Sequence, residues 1–206
     1  MPHNPEQVLI YHITDVANLP GMIAEGGLNS DAVMAKRNPE IIGHNHIKRR
    51  RLNEIPVPCC KWRWVGEFVP FYFCPRSPML FAINKGNTGR PEGCQKSIVH
   101  LVSTMSAGIA TGNAWAVSSG NAGARHTTYS AKLDALDSLD WTAIRATQWQ
   151  SVQHQKAAEF LVADFFPWIA IQEIGCENSV TADKVRKLLA DATHQPAVAI
   201  KTNWYY

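Results

Sequence analysis

A single carboxylate interrupts an apolar run late in the chain. In HQKAAEFLV (residues 154–162), Glu159 follows two alanines and precedes three apolar residues. An ionised carboxylate is costly to bury, so a glutamate in such a setting is normally paired with a cation, protonated or used in a reaction. The competing interpretation is an ordinary glutamate on the exposed edge of a helix. Glu159 is the first candidate for a side chain that does chemistry.

A basic and aromatic stretch, HNHIKRRRLNEIPVPCCKWRWVGEF (residues 44–68), is the second candidate feature. Guanidinium groups form bidentate pairs with phosphates, and indole rings offer faces on which bases stack. This composition favours a partner that carries phosphate. The alternative is a solvated basic helix face followed by a tryptophan-bearing strand that packs into the core. The side chains concerned are Lys48, Arg49, Arg50, Arg51, Lys61, Arg63, Trp62 and Trp64.

The remaining residues match no common catalytic or metal-binding pattern. The sequence has no G-x-G-x-x-G, G-x-x-x-x-G-K-[ST], H-E-x-x-H or G-x-S-x-G motif. Its five cysteines include an adjacent pair but no C-x-x-C, and an odd number without a secretion signal indicates reduced thiols. We therefore expect no metal site.

Length and charge set the class of protein. The chain of 206 residues is long enough to bury a sizeable core, and we expect residues 1–206 to form a single domain. The formal net charge is +3, so the field of the whole chain does not by itself indicate a nucleic acid partner. No stretch approaches the roughly 20 apolar residues of a membrane span, and the N-terminus has no secretion signal. We expect no membrane association and a cytoplasmic protein.

Strands and helices must position the candidate residues, and their predicted order is irregular. Such an order is typical of an α+β fold and argues against a doubly wound parallel sheet. Prolines predict a loop at 74–87, and Thr181 is the predicted N-cap of a late helix. The predicted strands cover 7–15, 97–102, 169–177 and the edge strand 196–206, and the predicted helices cover 16–28, 39–53 and 181–194.

Four segments, taken in order, resemble the DarT family of DNA ADP-ribosyltransferase toxins. They are LIYHITDVANLPGMIAEGGL (9–28), FVPFYFCPRSPMLFAI (68–83), SIVHLV (97–102) and HQKAAEFLV (154–162). The run VPFYFCPRSPM (69–79) is the most specific of them, because a match of that length, with two prolines and a methionine in its PRSPM element, is rare by chance. The resemblance implies a split, mixed β-sheet core of the ADP-ribosyltransferase type with helices around it.

The resemblance also implies a reaction. Members of this family cleave the nicotinamide glycosidic bond of NAD and attach ADP-ribose to a base in single-stranded DNA, and this branch favours thymidine. A ribose that carries positive charge in the transition state is stabilised by a nearby carboxylate, as in glycoside hydrolysis. Glu159 would then be the catalytic glutamate. Two alternatives stay open: a non-catalytic nucleic-acid-binding module on the same fold, and a transferase with a different acceptor.

Further site residues follow from the same resemblance. Arg51 is the second expected catalytic residue, although the adjacent arginines leave the register open. The residues expected at NAD are His12, Thr14, Tyr72, Met79 and Asn121. Relatives often carry a histidine at the position of Asn121, and His126 is a possible substitute.

The expected nucleic-acid contacts come from two places. The early basic segment supplies Lys48 and Arg49. The segment before Glu159, DWTAIRATQWQSVQHQ (140–155), occupies the substrate-recognition position, and its stacking faces and polar groups suit an unpaired base. We expect it to contribute Trp141, Arg145, Gln148 and Trp149. The resemblance further implies a macrodomain antitoxin as partner, and we expect a monomer.

Overall fold

The computed structural model describes residues 4–37 and 50–206, and a β-sheet of eight strands is its main feature. Two further sheets have two strands each. The strands are β1 (Leu9–Asp15), β2 (Gly27–Asn29), β3 (Pro56–Val57), β4 (Arg63–Trp64), β5 (Phe68–Tyr72), β6 (Ile98–Thr104), β7 (Trp115–Asn121), β8 (Tyr129–Ser130), β9 (Ala158–Ala163), β10 (Phe165–Pro167), β11 (Glu173–Cys176) and β12 (Ala197–Ile200).

Short helices surround these strands in the sequence. Residues 50–53 are also helical and continue towards β3. The helices with described bounds are α1 (Leu19–Ala24), α2 (Asp31–Arg37), α3 (Pro78–Asn84), α4 (Met105–Ala110), α5 (Trp141–Arg145), α6 (Gln153–Lys156) and α7 (Ser179–Leu189).

The main sheet is mixed and has the order β12-β11-β6-β1-β5-β9-β7-β8. Its β11–β12 pair is parallel, and its other pairs are antiparallel. β1 pairs with β6 along its whole length, but the register between β1 and β5 contains the single pair Tyr11↔Tyr72. The sheet is therefore weakly joined between β1 and β5. The mixed sheet with helices around it confirms the predicted α+β fold.

β9 lies inside the sheet and is buried on both faces. Phe160 and Val162 pack in the larger apolar cluster, whereas Leu161 and Ala163 pack in a second cluster. Side chains alternate between the faces of a strand, so Glu159 shares the face of Leu161 and Ala163. A strand covered on both faces reads as a continuous apolar run, and this explains the sequence around Glu159.

Two local predictions are corrected by the structure. The predicted loop at 74–87 contains α3, because Pro78 occupies the first helical turn, where a proline is tolerated, and the Ser77 hydroxyl accepts a hydrogen bond from the Leu80 N–H at 3.2 Å. The last long helix begins earlier than predicted. Its N-cap is Asn178, whose side chain accepts from the Thr181 N–H at 2.9 Å.

Two negative findings apply to the described residues, 4–37 and 50–206. None of their helices combines the length and the apolar character that crossing a membrane requires. No group of three or more histidine, cysteine, aspartate or glutamate side chains among them is placed to bind a metal ion. The five cysteines are free thiols.

Candidate active site

Glu159 lies on the second residue of β9, between β5 and β7. Its side chain is 1% exposed, and Tyr72 of β5 is its register partner. The competing interpretation of an exposed helical glutamate is therefore wrong. A carboxylate this deeply buried needs partners that favour its charged form.

Three hydrogen bonds satisfy the Glu159 carboxylate. Arg51 donates from Nη2 to Oε2 at 3.0 Å and from Nη1 to Oε1 at 3.4 Å. The backbone N–H of Ala122 donates to Oε1 at 3.0 Å. The pair is charge-assisted and nearly bidentate, which fixes the orientation of both side chains.

The same contacts fix the charge of Arg51. Burial alone would lower the pKa of its guanidinium, but the charge and hydrogen bonds of Glu159 outweigh burial and raise it above its ordinary value. Arg51 is therefore a permanent cation. Its neighbour Arg50 faces elsewhere and pairs with Glu54 at 3.5 Å, so the structure brings Arg51, and not Arg50, to the carboxylate. Lys48 and Arg49 lie outside the described residues.

A β-bulge positions the Ala122 amide. The register between β7 and β9 shifts between Val117 and Asn121, a common device for re-aiming groups beside a site. The Ser118 hydroxyl holds this irregular stretch: it accepts from the Glu159 N–H at 2.9 Å and donates to the Gly120 carbonyl at 2.7 Å. Residues 118–122 of this bulge therefore contact both the backbone N–H and the carboxylate of Glu159.

Two tyrosines lie within reach of the carboxylate charge. Burial, and then the negative charge of Glu159, raise the pKa of both Tyr72 and Tyr129, so both stay neutral. The Tyr129 hydroxyl donates to the Ala122 carbonyl at 2.6 Å. Tyr129 therefore supports the residue whose N–H contacts Glu159.

His12 lies at the weak joint of the sheet. Its Nδ1 is 2.9 Å from the Pro70 carbonyl, which can only accept, so Nδ1 carries the proton. Burial lowers the pKa of His12, and Nε2 of the neutral ring is left as an acceptor. The charge of Asp31 acts on both His12 and Arg51, which places all three in one neighbourhood.

Comparison with known proteins decides the family. The model of the family described as "DarT: ssDNA thymidine ADP-ribosyltransferase, DarT" matches residues 11–206. The chain belongs to the DarT family. DNA ADP-ribosyl transferases from Thermus aquaticus and Mycobacterium tuberculosis are 37% and 30% identical to it, over 98% of this chain and 90% of each relative.

Solved DarT structures match the whole fold. Thermus sp. 2.9 DarT in complex with ADP-ribosylated ssDNA has a TM-score of 0.88 and 36% identity, with 100% of both chains covered. The complex of the same protein with NAD⁺ has a TM-score of 0.84 and 35% identity, covering 99% of this chain and 100% of that chain. The predicted ADP-ribosyltransferase-like core is confirmed.

Two of the residues that the DarT resemblance placed at NAD make local hydrogen bonds here, and a third is exposed. Thr14 accepts from the Asn18 amide at 3.1 Å. It lines a cavity to which neither Glu159 nor Arg51 contributes. Met79 is exposed on the first turn of α3. Asn121 accepts from the Gly123 N–H at 2.7 Å, so its side chain shapes the turn that presents Ala122. His126 is exposed, and its ring lies 4.1 Å from that of His154.

The segment in the DarT recognition position turns its tryptophans inwards. Trp149 is 7% exposed and packs edge-on against Phe81 and Tyr206, which departs from the expectation that its face receives a base. Trp141 donates from Nε1 to the Leu136 carbonyl at 2.7 Å, and Arg145 covers its ring. Arg145 and Gln148 are exposed and can contact a ligand.

The basic and aromatic stretch does not bury its tryptophans in the core. Trp62 and Trp64 are 67% and 38% exposed. Trp62 and Lys61 form the tip between β3 and β4, and both adopt left-handed backbone conformations, with φ of 60° and 57°. The interpretation of a core-packed tryptophan strand is wrong for these two rings.

Sequence reasoning missed three site residues: Ser118, Ala122 and Tyr129. Ala122 acts through its backbone, and Ser118 and Tyr129 act by holding that backbone. No residue-type pattern marks such roles. The one signal in the sequence is the Ser-Ser-Gly-Asn run at 118–121, which predicts a turn without saying what the turn faces.

Proposed function

We propose that this chain transfers ADP-ribose from NAD to thymidine in single-stranded DNA. The observation that carries the proposal is the buried Glu159 carboxylate, held by Arg51 and the Ala122 amide, on a DarT fold. Support comes from Thermus sp. 2.9 DarT, which is 36% identical and was solved with ADP-ribosylated ssDNA, and which was also solved with NAD⁺.

Glu159 stabilises the ribose during bond cleavage. As the bond to nicotinamide lengthens, nicotinamide leaves with the electron pair and positive charge develops on the ribose. A fixed carboxylate in a site that excludes water stabilises such charge strongly. Its apolar strand holds it rigid, which accounts for its setting between alanines and phenylalanine.

Arg51 stabilises the acceptor. Thymidine has one ring N–H, and the nitrogen of that group forms the new bond to the ribose while its proton passes to solvent. Negative charge then develops on the base. A guanidinium whose pKa is raised cannot accept this proton, so Arg51 acts as an electrostatic stabiliser and not as a base.

His12 and Tyr72 would hold NAD. The unprotonated Nε2 of neutral His12 can accept a hydrogen bond from a ribose hydroxyl of NAD. Tyr72 lies directly opposite Glu159 on the neighbouring strand and is half-buried, so its ring can form a wall beside the nicotinamide. The exposed Arg145 and Gln148 would contact the unpaired base or its backbone.

The acceptor is tested with NAD and single-stranded oligonucleotides that contain, or lack, thymidine. Mass spectrometry should find one added ADP-ribosyl group only on thymidine-containing strands, with release of one nicotinamide for each. Consumption of NAD without modified DNA would show that the acceptor is a different molecule. DNA binding without consumption of NAD would favour the non-catalytic module.

The cellular setting is also part of the proposal. We propose that residues 1–206 act as one domain, a view supported by the main sheet, which takes strands from Leu9 to Ile200. The family resemblance supports a toxin that has a macrodomain antitoxin, and we further propose that the protein acts as a monomer in the cytoplasm. Expression in a bacterial host should arrest growth, and a macrodomain that removes ADP-ribose from thymidine should restore it.

A further inference from the structure

A cationic cavity of about 380 Å³ opens beside the recognition segment. Most of its lining comes from three parts of the chain: residues 73–76 after β5, residues 144–149 at and after the end of α5, and the C-terminal residues 203–206, to which Tyr11 and Lys156 are added. Its lining includes three cations and no aspartate or glutamate side chain. The three cations are Arg76, Arg145 and Lys156.

Lys156 contributes a fixed charge to the wall. Its side chain is 2% exposed, and Nζ donates to the carbonyls of Ile144 and Ala146 at 2.9 and 2.8 Å. Burial lowers the pKa of Lys156, and the two carbonyl groups accept from its ammonium group without adding a negative charge. Lys156 also ties the recognition segment to the beginning of β9, three residues before Glu159.

Arg76 is held by stacking. Its guanidinium carbon lies 4.5 Å from the centroid of the Tyr206 ring, and within the described parts of the chain its enclosed Nε has no hydrogen-bond acceptor. None of the ion pairs seen among those residues includes Arg76 or Arg145. Two guanidinium groups and one ammonium group therefore share a small cavity that no aspartate or glutamate side chain lines.

Such a cavity fits a phosphate ester with a flat group attached. Guanidinium groups prefer phosphate, to which they donate in a planar fork. The aromatic lining residues Tyr11, Trp204 and Tyr206 offer apolar surface to a base or a sugar. Single-stranded DNA repeats this combination in every nucleotide.

Two residues that line the cavity are close in sequence to residues of the candidate active site. Cys74 lines it two residues after Tyr72, and Lys156 lines it three residues before Glu159. The end of β5, which carries Tyr72, and the beginning of β9, which carries Glu159, are therefore close in the chain to residues that line this cavity. An extended strand that places thymidine at Glu159 would pass directly over it.

We propose that this cavity binds one nucleotide of the DNA strand that flanks the acceptor thymidine. Its phosphate lies between Arg76 and Arg145, and its base or sugar lies against the aromatic wall. The inference rests on the proposed function. The pyrophosphate of NAD carries the same chemistry, so the test must separate the two sources.

The test compares Arg76→Gln and Arg145→Gln with Arg186→Gln, which removes an exposed arginine of α7 that is paired with Asp183. Binding of a fluorescent thymidine-containing oligonucleotide is measured by anisotropy without NAD, over a range of salt concentrations. Each cavity variant should weaken binding about tenfold and reduce the salt slope by about one, as expected for a lost phosphate contact. The control should match the wild type.

The KM for NAD, measured from nicotinamide release without DNA, should stay within about twofold of the wild type in both cavity variants, since uniform loss of binding appears in KM. A rise in this KM with unchanged oligonucleotide binding would assign the cavity to NAD and overturn the proposal. Unchanged values in both assays, with an unchanged thermal midpoint, would also overturn it. If Arg76→Gln does not fold, Arg76→Lys, which keeps the charge, replaces it. Its affinity for the oligonucleotide should lie between that of the wild type and a loss of about tenfold.

These results separate this inference from the proposed function. Binding without NAD does not depend on transfer. If the wild type binds DNA through the cavity but transfers nothing, the proposed function fails and the nucleotide site remains. If the wild type transfers ADP-ribose and the cavity variants bind DNA normally, only the nucleotide site fails.

Discussion

Nη2 of Arg51 lies 3.0 Å from Oε2 of Glu159, although 108 residues separate the two in the sequence. The Arg51 side chain is 15% exposed, and its partner is almost fully enclosed. Each charge compensates for the burial of the other, so the pair serves the fold as well as the proposed reaction. A variant of either residue must therefore be tested for folding before its activity is interpreted.

Arg51→Gln should reduce transfer to DNA by at least about 100-fold, because it removes the cation beside the acceptor and Glu159. It should also lower the free energy of unfolding by roughly 3 kcal/mol, since it leaves a buried carboxylate without its ion pair. Initial rates with NAD and an oligonucleotide, together with urea unfolding, measure both effects. Arg50→Gln is the matched control and should change either quantity little, because its pair with Glu54 is at the surface. If Arg50→Gln reduced transfer and stability more than Arg51→Gln, Arg50 and not Arg51 would be the partner of Glu159.

Ser118→Ala tests the bulge that presents the Ala122 amide. Loss of the hydroxyl leaves the Glu159 N–H and the Gly120 carbonyl without their partner, which should cost about 1–3 kcal/mol of stability. We expect a lower kcat with a nearly unchanged KM for NAD. Ser119→Ala, one residue away, is the control, since Ser119 accepts from the Thr128 N–H and not from Glu159. Equal kcat values for the two variants would contradict this role of the bulge.

Substitution of two tryptophans should affect different properties: DNA binding for Trp62 and stability for Trp149. Trp62→Ala removes an exposed ring held on a left-handed hairpin tip, a conformation that costs free energy and is concentrated at functional sites. It should weaken binding of single-stranded DNA by about 1–3 kcal/mol, the value of one stacked base, and leave the thermal midpoint unchanged. Trp149→Ala should lower stability by roughly 3–5 kcal/mol, because it empties a packed site. Unchanged DNA affinity in Trp62→Ala would make its ring a surface feature without this function.

Acid should destabilise the protein through His100. This fully buried side chain donates from Nε2 to the Pro75 carbonyl at 2.9 Å, and burial lowers its pKa to about 4. Below the ordinary pKa of about 6.5 the unfolded chain binds a proton that the folded chain does not bind, so stability falls from about pH 6.5 to about pH 4. The loss from this residue is roughly 3 kcal/mol.

NMR measures the pKa of His100 directly. Its imidazole resonances, assigned by their absence in His100→Gln, should stay constant down to about pH 5. Urea unfolding over the same range should show the fall in free energy of unfolding. Titration of His100 near its ordinary value would contradict its burial.

The sequence was most informative where a pattern has one physical cause. An apolar run predicted β1 and a β-branched run predicted β6, and the buried setting of Glu159 reflects a strand covered on both faces. The PRSPM element misled local reasoning, because its prolines predict a loop after an extended segment, whereas Pro78 begins α3. A proline at the first turn and a proline in a loop look alike without the Ser77 cap.

Backbone groups and long-range pairs explain the rest. Arg51 was selected by family resemblance, and its contact with Glu159 depends on how the chain returns after 108 residues. The Ala122 amide depends on a register shift between two strands, which leaves no mark in residue type. The inward packing of Trp149 likewise depends on Phe81 and Tyr206, which are distant in sequence.

The most direct test of the account is the transfer rate of Glu159→Gln. Wild-type and variant protein are incubated with NAD and a thymidine-containing single strand, and the modified DNA is quantified by mass spectrometry. We expect the wild type to add one ADP-ribosyl group and the variant to be slower by at least about 1,000-fold, because it retains the shape of the side chain but not its charge. A variant that folds and transfers ADP-ribose at a rate close to that of the wild type would contradict the central role of Glu159.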